Sequence, residues 1–243
     1  MKQEVVPYEK LTLSKKEQVS LMFDRIAFRY DLMNTLLSFG IDADWRKRML
    51  KILAQQQPKN ILDVATGTAD VAIQLASLKP EKITGIDISA EMLTIGQAKL
   101  KEKKLEQLIS LQQADAENLP FEDNKFDAIT VAFGVRNFEH LEQGLKEMSR
   151  VLKKGGMLVV LEFSKPSSTP FRQLFHFYFT YICPMLGAWI THDKMAYTYL
   201  HRSVAAFPDG KDFTDLLDKN GFESARCTPL TFGISSIYTG TKR

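Results

Sequence analysis

The sequence predicts an α/β fold, a mostly parallel, doubly wound sheet with helices on both faces. Three observations carry it. Short apolar runs alternate with helical stretches from residue 60 to residue 163, the pattern of consecutive βαβ units. The first run ends in a turn of small residues, where sheets of this kind bind ligands. The last two apolar runs are joined only by Thr231-Phe232-Gly233, too short for a crossover helix, so they form an antiparallel pair at the sheet edge.

The elements follow in order. Val19, Met22, Phe23, Ile26, Ala27 and Tyr30 share one helical face, and a second helix runs from Trp45 to Gln55, before Pro58. The parallel strands are expected at Asn60–Val64, Lys82–Asp87, Ile109–Gln113, Phe126–Phe133 and Met157–Phe163. Helices between them are expected at Asp70–Ser77, Ala90–Glu102 and Leu141–Val151. Residues 166–208 break the rhythm with an aromatic-rich stretch, and a helix at Lys211–Asn220 precedes the final pair, Glu223–Leu230 and Ile234–Thr241. The chain therefore reads as one domain in four parts: an N-terminal helical cap (1–58), an α/β core (59–165), an inserted helical lid (166–208) and a C-terminal helix and strand pair (209–243).

Composition narrows the function classes. The 243 residues, 44% apolar and 25% charged, are enough for a real core and exclude a disordered or fibrous chain. A net charge of +3 is too small a basic excess to argue for nucleic acid. Cys183 and Cys227 are far apart and in no CxxC, so neither a disulfide framework nor a cysteine zinc site is expected, and no histidine pair has metal-site spacing. The polar N-terminus does not read as a signal peptide, and a cytoplasmic setting is expected. The stretch Gln173–His192 carries no formal charge, but its polar residues and Pro184 favour a buried or interfacial aromatic helix over a membrane span.

The candidate ligand site lies at the ends of the first three strands. Asp63-Val-Ala-Thr-Gly67-Thr68-Ala-Asp70 is the turn after the first. It lacks the G-x-G-x-x-G of a dinucleotide loop, and its flanking Asp63 and Asp70 favour a cationic ligand such as S-adenosylmethionine. Asp87 ends the second strand, where an acid can accept both hydroxyls of a ribose. Asp115 follows the third strand, placed to receive an adenine amino group, with Ala116 leaving room for the ring.

The span from Asn60 to Phe163 resembles the class I S-adenosylmethionine-dependent methyltransferases. Further segments resemble one family of them, the UbiE/MenG quinone-biosynthesis C-methyltransferases. These are Tyr30-Asp-Leu-Met-Asn34 with Ser38 and Trp45, Phe133-Gly-Val-Arg-Asn137, Arg150-Val-Leu-Lys-Lys-Gly-Gly156 with Leu161-Glu-Phe-Ser164, and Tyr197-Thr-Tyr-Leu200 with Ser203 and Phe207-Pro208. The likeness spans about Phe23 to Lys242. Departures are Asp42 in place of a histidine, Lys154 in place of a proline, Ala65 and Ala69 in place of glycines, Arg202 in place of an acid and Ala132 where some relatives have serine.

The resemblance implies a Rossmann-like fold and methyl transfer from S-adenosylmethionine to a ring carbon of a polyprenylated quinol. Demethylmenaquinol is the expected acceptor, with a methoxy-benzoquinol or a non-catalytic binding role as the alternatives. A ring carbon is a poor nucleophile until a neighbouring phenol ionises, and a phenol of pKa about 10 must gain about 4 kcal/mol to ionise freely at neutral pH. Arg136 is the candidate cation for that oxygen, Asn137 holds the oxygen or a water, and Tyr30 closes the site from the N-terminal helices. The base is left open among a water, His201 and Glu162. Residues 171–190 are expected to line a prenyl path or touch the membrane surface; a homodimer stays open.

Overall fold

The computed structural model describes residues 5–166, 168–182, 185 and 193–243, without the side chains of 179 and 194. Cys183, Pro184, Trp189 and His192 therefore lie outside the described residues, and with them part of the expected aromatic lid.

Five parallel strands follow the expected alternation: β1 (Asn60–Val64), β2 (Lys82–Asp87), β3 (Ile109–Gln113), β4 (Phe126–Ala132) and β5 (Leu152–Phe163). The final pair, β6 (Phe222–Leu230) and β7 (Ser235–Lys242), completes a seven-stranded sheet of order β3-β2-β1-β4-β5-β7-β6. β7 runs antiparallel to both its neighbours, so the edge strand β6 points the same way as β5.

The helices are α1 (Lys15–Leu37), α2 (Ile41–Ala54), α3 (Asp70–Leu75), α4 (Ala90–Lys103), α5 (Leu141–Val151), α6 (Phe171–Phe177), α7 (Lys194–Ala206) and α8 (Lys211–Lys219). α6 passes directly into a π-helical turn, Tyr178–Ile182. α1 starts where a capping box allows: the Ser14 hydroxyl accepts from the Glu17 N–H and the Glu17 carboxylate accepts from the Ser14 N–H. Among the described residues no helix is long and apolar enough to cross a membrane.

Alternation along each strand splits the core between the two faces. Leu62, Ile129, Leu158 and Val160 pack with Leu145 and Met148 of α5 and Phe213 and Leu217 of α8. Ile61, Ala128, Val159 and Leu161 pack on the other face with Trp45, Met49 and Leu53 of α2 and Leu75 of α3. Both faces are covered, as a parallel sheet requires. α1 joins neither layer; its Val19, Met22, Ile26 and Met33 pack with Met92 of α4 and Tyr197 and Tyr199 of α7 above the strand ends.

β5 departs from the expected boundary. It starts at Leu152, directly after α5, so Lys153-Lys154-Gly155-Gly156, which reads as a turn, runs through the strand. The register irregularity between Phe126 and Ala128 on β4 absorbs the extra length. Gly156 is needed there, because a Cβ would stand 2.9 Å from the Asp127 carbonyl oxygen.

One buried carboxylate joins the strands at the centre of the sheet. Asp63 on β1 accepts hydrogen bonds from the hydroxyls of Thr66, in the following loop, and Thr130 on β4, both at 2.6 Å. Burial pushes its pKa up to about 6, against the lowering effect of the two hydroxyls. In the unfolded chain it titrates near 3.8, so between pH 4 and 6 the folded state binds more protons and the stability contributed by Asp63 falls as pH rises. The stability difference between wild type and Asp63→Asn should therefore shift against wild type by up to about 3 kcal/mol from pH 4 to pH 7. Urea unfolding at a series of pH values measures it; a difference independent of pH would mean that Asp63 folds ionised.

Candidate active site

β1 and β4 are neighbours in the sheet, but the connections leaving them go opposite ways, so a cleft opens at their carboxyl ends. The loop after β1 bends sharply. Ala65 (φ 54°), Gly67 (φ 56°) and Ala69 (φ 67°) all adopt left-handed backbone, so the turn forms with alanine at two positions where glycine would be easier. Across the cleft Gly134 follows β4, and a Cβ there would meet the Ala65 Cβ at 2.5 Å. The two loops approach each other only because residue 134 has no side chain.

The first chamber is lined by Gly67, Asp87, Asp115, Ala116, Met92 and Phe138, among others. Asp87 stands at the end of β2. One of its oxygens accepts the Gly67 N–H at 2.8 Å and the other the Ser89 N–H at 2.9 Å. Burial nonetheless raises its pKa, the two N–H bonds pulling the other way. Asp115 is not the free acid that its place in the sequence suggests. It accepts the Glu117 N–H at 2.9 Å and is paired with Lys16 of α1 at 2.5 Å. Lys16 also reaches Glu117 at 3.2 Å, so α1 is pinned across the mouth of the chamber.

Three expected residues lie elsewhere. Asp63 is turned into the sheet and does not line the chamber. The Thr68 hydroxyl donates to Asp31 of α1 at 2.6 Å and accepts from Lys99 at 2.9 Å. Asp70 is paired with Lys99 at 2.7 Å. The two aspartates flanking the turn thus spend their charge on protein groups, and the acidic character of the chamber comes from Asp87, Asp115, Glu117 and Glu139 instead.

A second chamber of about 340 Å³ lies beyond it, lined mainly by aromatic and aliphatic side chains, Trp45, Phe133, Phe163, Tyr178 and Tyr197 among them. Its charged lining residues are Arg136, Arg46 and Asp42. Arg136 sits on a single turn of 3-10 helix after β4. It donates to Glu162 at 2.7 Å and to the Phe133 carbonyl at 2.5 Å, and its guanidinium carbon lies 5.5 Å above the Phe163 ring. Glu162 is fully buried; burial raises its pKa even though Arg136 and the Phe163 N–H favour the carboxylate.

Phe23, Tyr30, Phe133 and Asn137 line both chambers and form the wall between them. Tyr30, on α1, stacks edge-on with Phe23 at 5.9 Å. Burial raises its phenol pKa, so it is neutral at physiological pH. Asn137 donates a long bond of 3.4 Å to the Phe133 carbonyl, and its side-chain oxygen is buried with no hydrogen-bond partner among the described residues.

The structure therefore brings together Tyr30, Asn137, Arg136, Gly67, Asp87, Asp115 and Ala116 around two adjoining chambers. Neither residue named as a base lines them. Glu162 is behind Arg136, and His201 faces His176 with ring centres 5.6 Å apart. Lys16, Arg46 and Phe163 escaped the sequence reading. Lys16 and Phe163 reach the site only through contacts with residues distant in sequence; Arg46 had one local signal, its place beside Trp45 on a buried helical face.

A model of the ubiE/COQ5 methyltransferase family matches residues 11–242. A protein of Bacteroides fragilis named demethylmenaquinone methyltransferase is 46% identical over 229 residues, 94% of each chain. A Porphyromonas gingivalis protein of the same name is 40% identical and covers 99% of this chain and 98% of its own. A Geotalea daltonii protein named ubiquinone/menaquinone biosynthesis C-methyltransferase UbiE is 46% identical, covering 96% and 99%. Among solved structures, a putative S-adenosyl-L-methionine-dependent methyltransferase of Methanococcus maripaludis superposes with a TM-score of 0.63 at 19% identity, covering 97% and 96%. A SAM-dependent methyltransferase of Thermotoga maritima does so with a TM-score of 0.61 at 20% identity, covering 92% and 99%. Those two likenesses carry the fold. The family match over nearly the whole length, with relatives this similar from end to end, makes the chain a member of the ubiE/COQ5 methyltransferase family.

Proposed function

We propose that this chain transfers a methyl group from S-adenosylmethionine to the ring of demethylmenaquinol, giving menaquinol. The observation that carries the reading is the shared wall: an acidic chamber and an aromatic one meet at Phe23, Tyr30, Phe133 and Asn137, so a donor in one faces an acceptor in the other. The names of the three relatives have menaquinone in common, which favours the naphthoquinol over a benzoquinol.

The first chamber fits the donor. Asp87 is held by one N–H on each oxygen and keeps lone pairs for the ribose hydroxyls. Gly67 presents bare backbone, since a Cβ there would meet only Tyr30, at 3.9 Å. Ala116 leaves space beside Asp115 for a purine, and Asp115 would take its amino group once Lys16 gives way. When bound, the sulfonium supplies an electrophilic methyl group. Asp63 and Thr68 support the loop from behind and are positioning residues in this reading.

In the second chamber Arg136 sets the chemistry. Its guanidinium is fixed by Glu162 and the Phe133 carbonyl and favours the ionised form of a ring hydroxyl beside it. Loss of the hydroxyl proton to water moves electron density to the neighbouring ring carbon, the atom that must attack, and the proton that the incoming methyl displaces from that carbon also leaves to water. Asn137, in the wall between the chambers, would hold the same ring oxygen through its side-chain N–H, which makes only a 3.4 Å bond to the Phe133 carbonyl. Tyr30 and Phe23 flank the junction of the two chambers and would limit water at the reacting atoms. Leu174, Phe177 and Tyr181, exposed around α6, would meet the lipid surface from which a prenylated quinol arrives.

Labelled methyl transfer tests the reading: purified protein given methyl-labelled S-adenosylmethionine should form a new ring C–CH₃ on a demethylmenaquinol analogue. Label only on a methoxy-benzoquinol lacking its ring methyl would move the enzyme to the other quinone class. Asp87→Ala should weaken donor binding about 10- to 100-fold by calorimetry, the loss expected for hydrogen bonds to a charged acceptor. Unchanged affinity would remove Asp87 from the donor site. Arg136→Ala should lower turnover at least about 100-fold with donor affinity intact, because Arg136 lines only the acceptor chamber. Replacing Leu174 and Phe175 with glutamine should raise KM for long-tailed quinols more than for tail-free ones; equal loss for both would exclude a tail path along α6.

A further inference from the structure

Arg136 is one of two guanidiniums that line the acceptor chamber. The other belongs to Arg46 on α2, whose side chain is only 14% exposed. One terminal nitrogen of Arg46 is hydrogen-bonded to Asp42, a turn earlier on the same helix. Asp42 is itself held by the Ser38 hydroxyl at 2.6 Å, so the carboxylate that grips Arg46 is fixed from two sides. The other terminal nitrogen lies 4.0 Å from Asp70. The Nε–H is different: it is buried and has no hydrogen-bond partner among the described residues. Nε is enclosed by protein and has no surface on the cavity, whereas the terminal nitrogen near Asp70 makes no hydrogen bond among the described residues. A guanidinium held at one end by Asp42 and lining the chamber thus keeps a terminal donor for an acceptor atom.

The surface between the two arginines indicates the shape of that ligand. Trp45, Phe133 and Phe163 pack as a trio, with ring centres 6.2 Å, 6.3 Å and 4.8 Å apart. Arg136 lies over the Phe163 ring, and Trp45 immediately precedes Arg46. Trp45 is locked in place by its indole N–H, which donates to the Thr231 hydroxyl at 2.8 Å. The chamber thus offers a rigid aromatic surface and two guanidiniums in its lining. That suits a flat fused ring carrying two oxygens.

We propose that Arg46 is the second anchor of the acceptor ring, donating from the terminal nitrogen that Asp42 does not hold to the ring oxygen remote from Arg136, and that Asp42 is a positioning residue for it. The proposal rests on the quinol methylation argued above and assigns the second oxygen of that same substrate. It also gives a role to Asp42, which replaces the histidine expected from the family pattern: a carboxylate holds a neighbouring guanidinium, which a cationic or neutral imidazole would not do as well.

A cycle of protein and substrate changes tests it. Two acceptors are compared, a prenylated naphthalene-1,4-diol and the matching 1-naphthol, which keeps the hydroxyl beside the reacting carbon and lacks the remote one. Two variants are used: Arg46→Met, and Arg46→Lys, which retains a charge for Asp42 but has no second terminal nitrogen to offer the ring. For wild type, loss of the remote hydroxyl should raise KM about tenfold. In both variants KM for the diol should rise by about the same factor, and the preference for the diol should disappear, with donor affinity unchanged. Variants that lose activity equally on both acceptors and keep the wild-type preference would overturn the proposal and leave Arg46 a brace between α2 and α3. Equal wild-type KM values for the two acceptors would overturn it as well. Wild-type protein that methylates neither compound would overturn the functional reading and this proposal together.

Discussion

The carboxylate of Asp63 joins the three pieces on which the site depends. It sits on β1, takes the hydroxyl of Thr66 from the loop that β1 feeds, and takes the hydroxyl of Thr130 on β4. Those two strands are the ones whose following connections diverge to open the cleft. A carboxylate in this position is costly to bury, and the raised pKa shows that the hydroxyls do not fully offset the loss of water. The gain is geometric. The loop after β1 needs three left-handed residues, two of them alanine, and such a turn persists only where its surroundings hold it. Thr66 is tied from below by Asp63, Gly67 from the side by Asp87, and Thr68 from above by Asp31. The donor loop is over-determined before any ligand arrives.

The same anchoring extends to the cover. Lys99 of α4 bonds Asp31, Thr68 and Asp70 at once, so α1, the loop and the start of α3 converge on one ammonium group. Tyr30 precedes Asp31 and is thereby set at the wall between the chambers. At the other end of the site α1 is held by Lys15, whose ammonium donates to the Phe138 carbonyl at 2.6 Å, and by Lys16, which pairs with the half-exposed Asp115 and the buried Glu117. The cover is therefore fastened at both ends of the site.

The alternation of apolar runs and helices was enough to place all seven strands, because burial on both faces leaves a strand few choices of residue. The places of Asp87 and Arg136 in the chamber linings were legible too, one because it ends a strand and the other because its motif follows one. Reading failed where the decisive partner is remote. Asp63 and Asp70 look like ligand acids in a linear sequence, and only the fold shows Thr130 and Lys99 consuming their hydrogen-bonding capacity. Asp115 looks free until Lys16 is brought to it across almost half the chain. The start of β5 was missed because Lys153-Lys154-Gly155-Gly156 has turn composition; Leu152 pairs with Phe126, the register resumes at Met157, and an irregularity takes up the residues between.

The pairing of Arg136 with Glu162 raises a question of magnitude. A lone guanidinium would stabilise a phenolate more strongly than one already neutralised by a carboxylate at 2.7 Å. A lone buried guanidinium, however, would be expensive to hold in an aromatic chamber, and it would be free to turn toward water. Glu162 lies behind Arg136 and not in the chamber, so a ring oxygen bound there as proposed would meet the positive end of the pair first. What remains is a fixed dipole in a site that water does not reorganise, and such dipoles act at close range without the cost of reorienting during the reaction. The requirement is about 4 kcal/mol to bring a phenol to neutrality. Removing a single preorganised donor from other active sites costs about 3–4 kcal/mol, so the pair is of the right size to supply most of it. In the proposed reaction the rest would fall to alignment at the wall that Tyr30 and Asn137 share between the chambers.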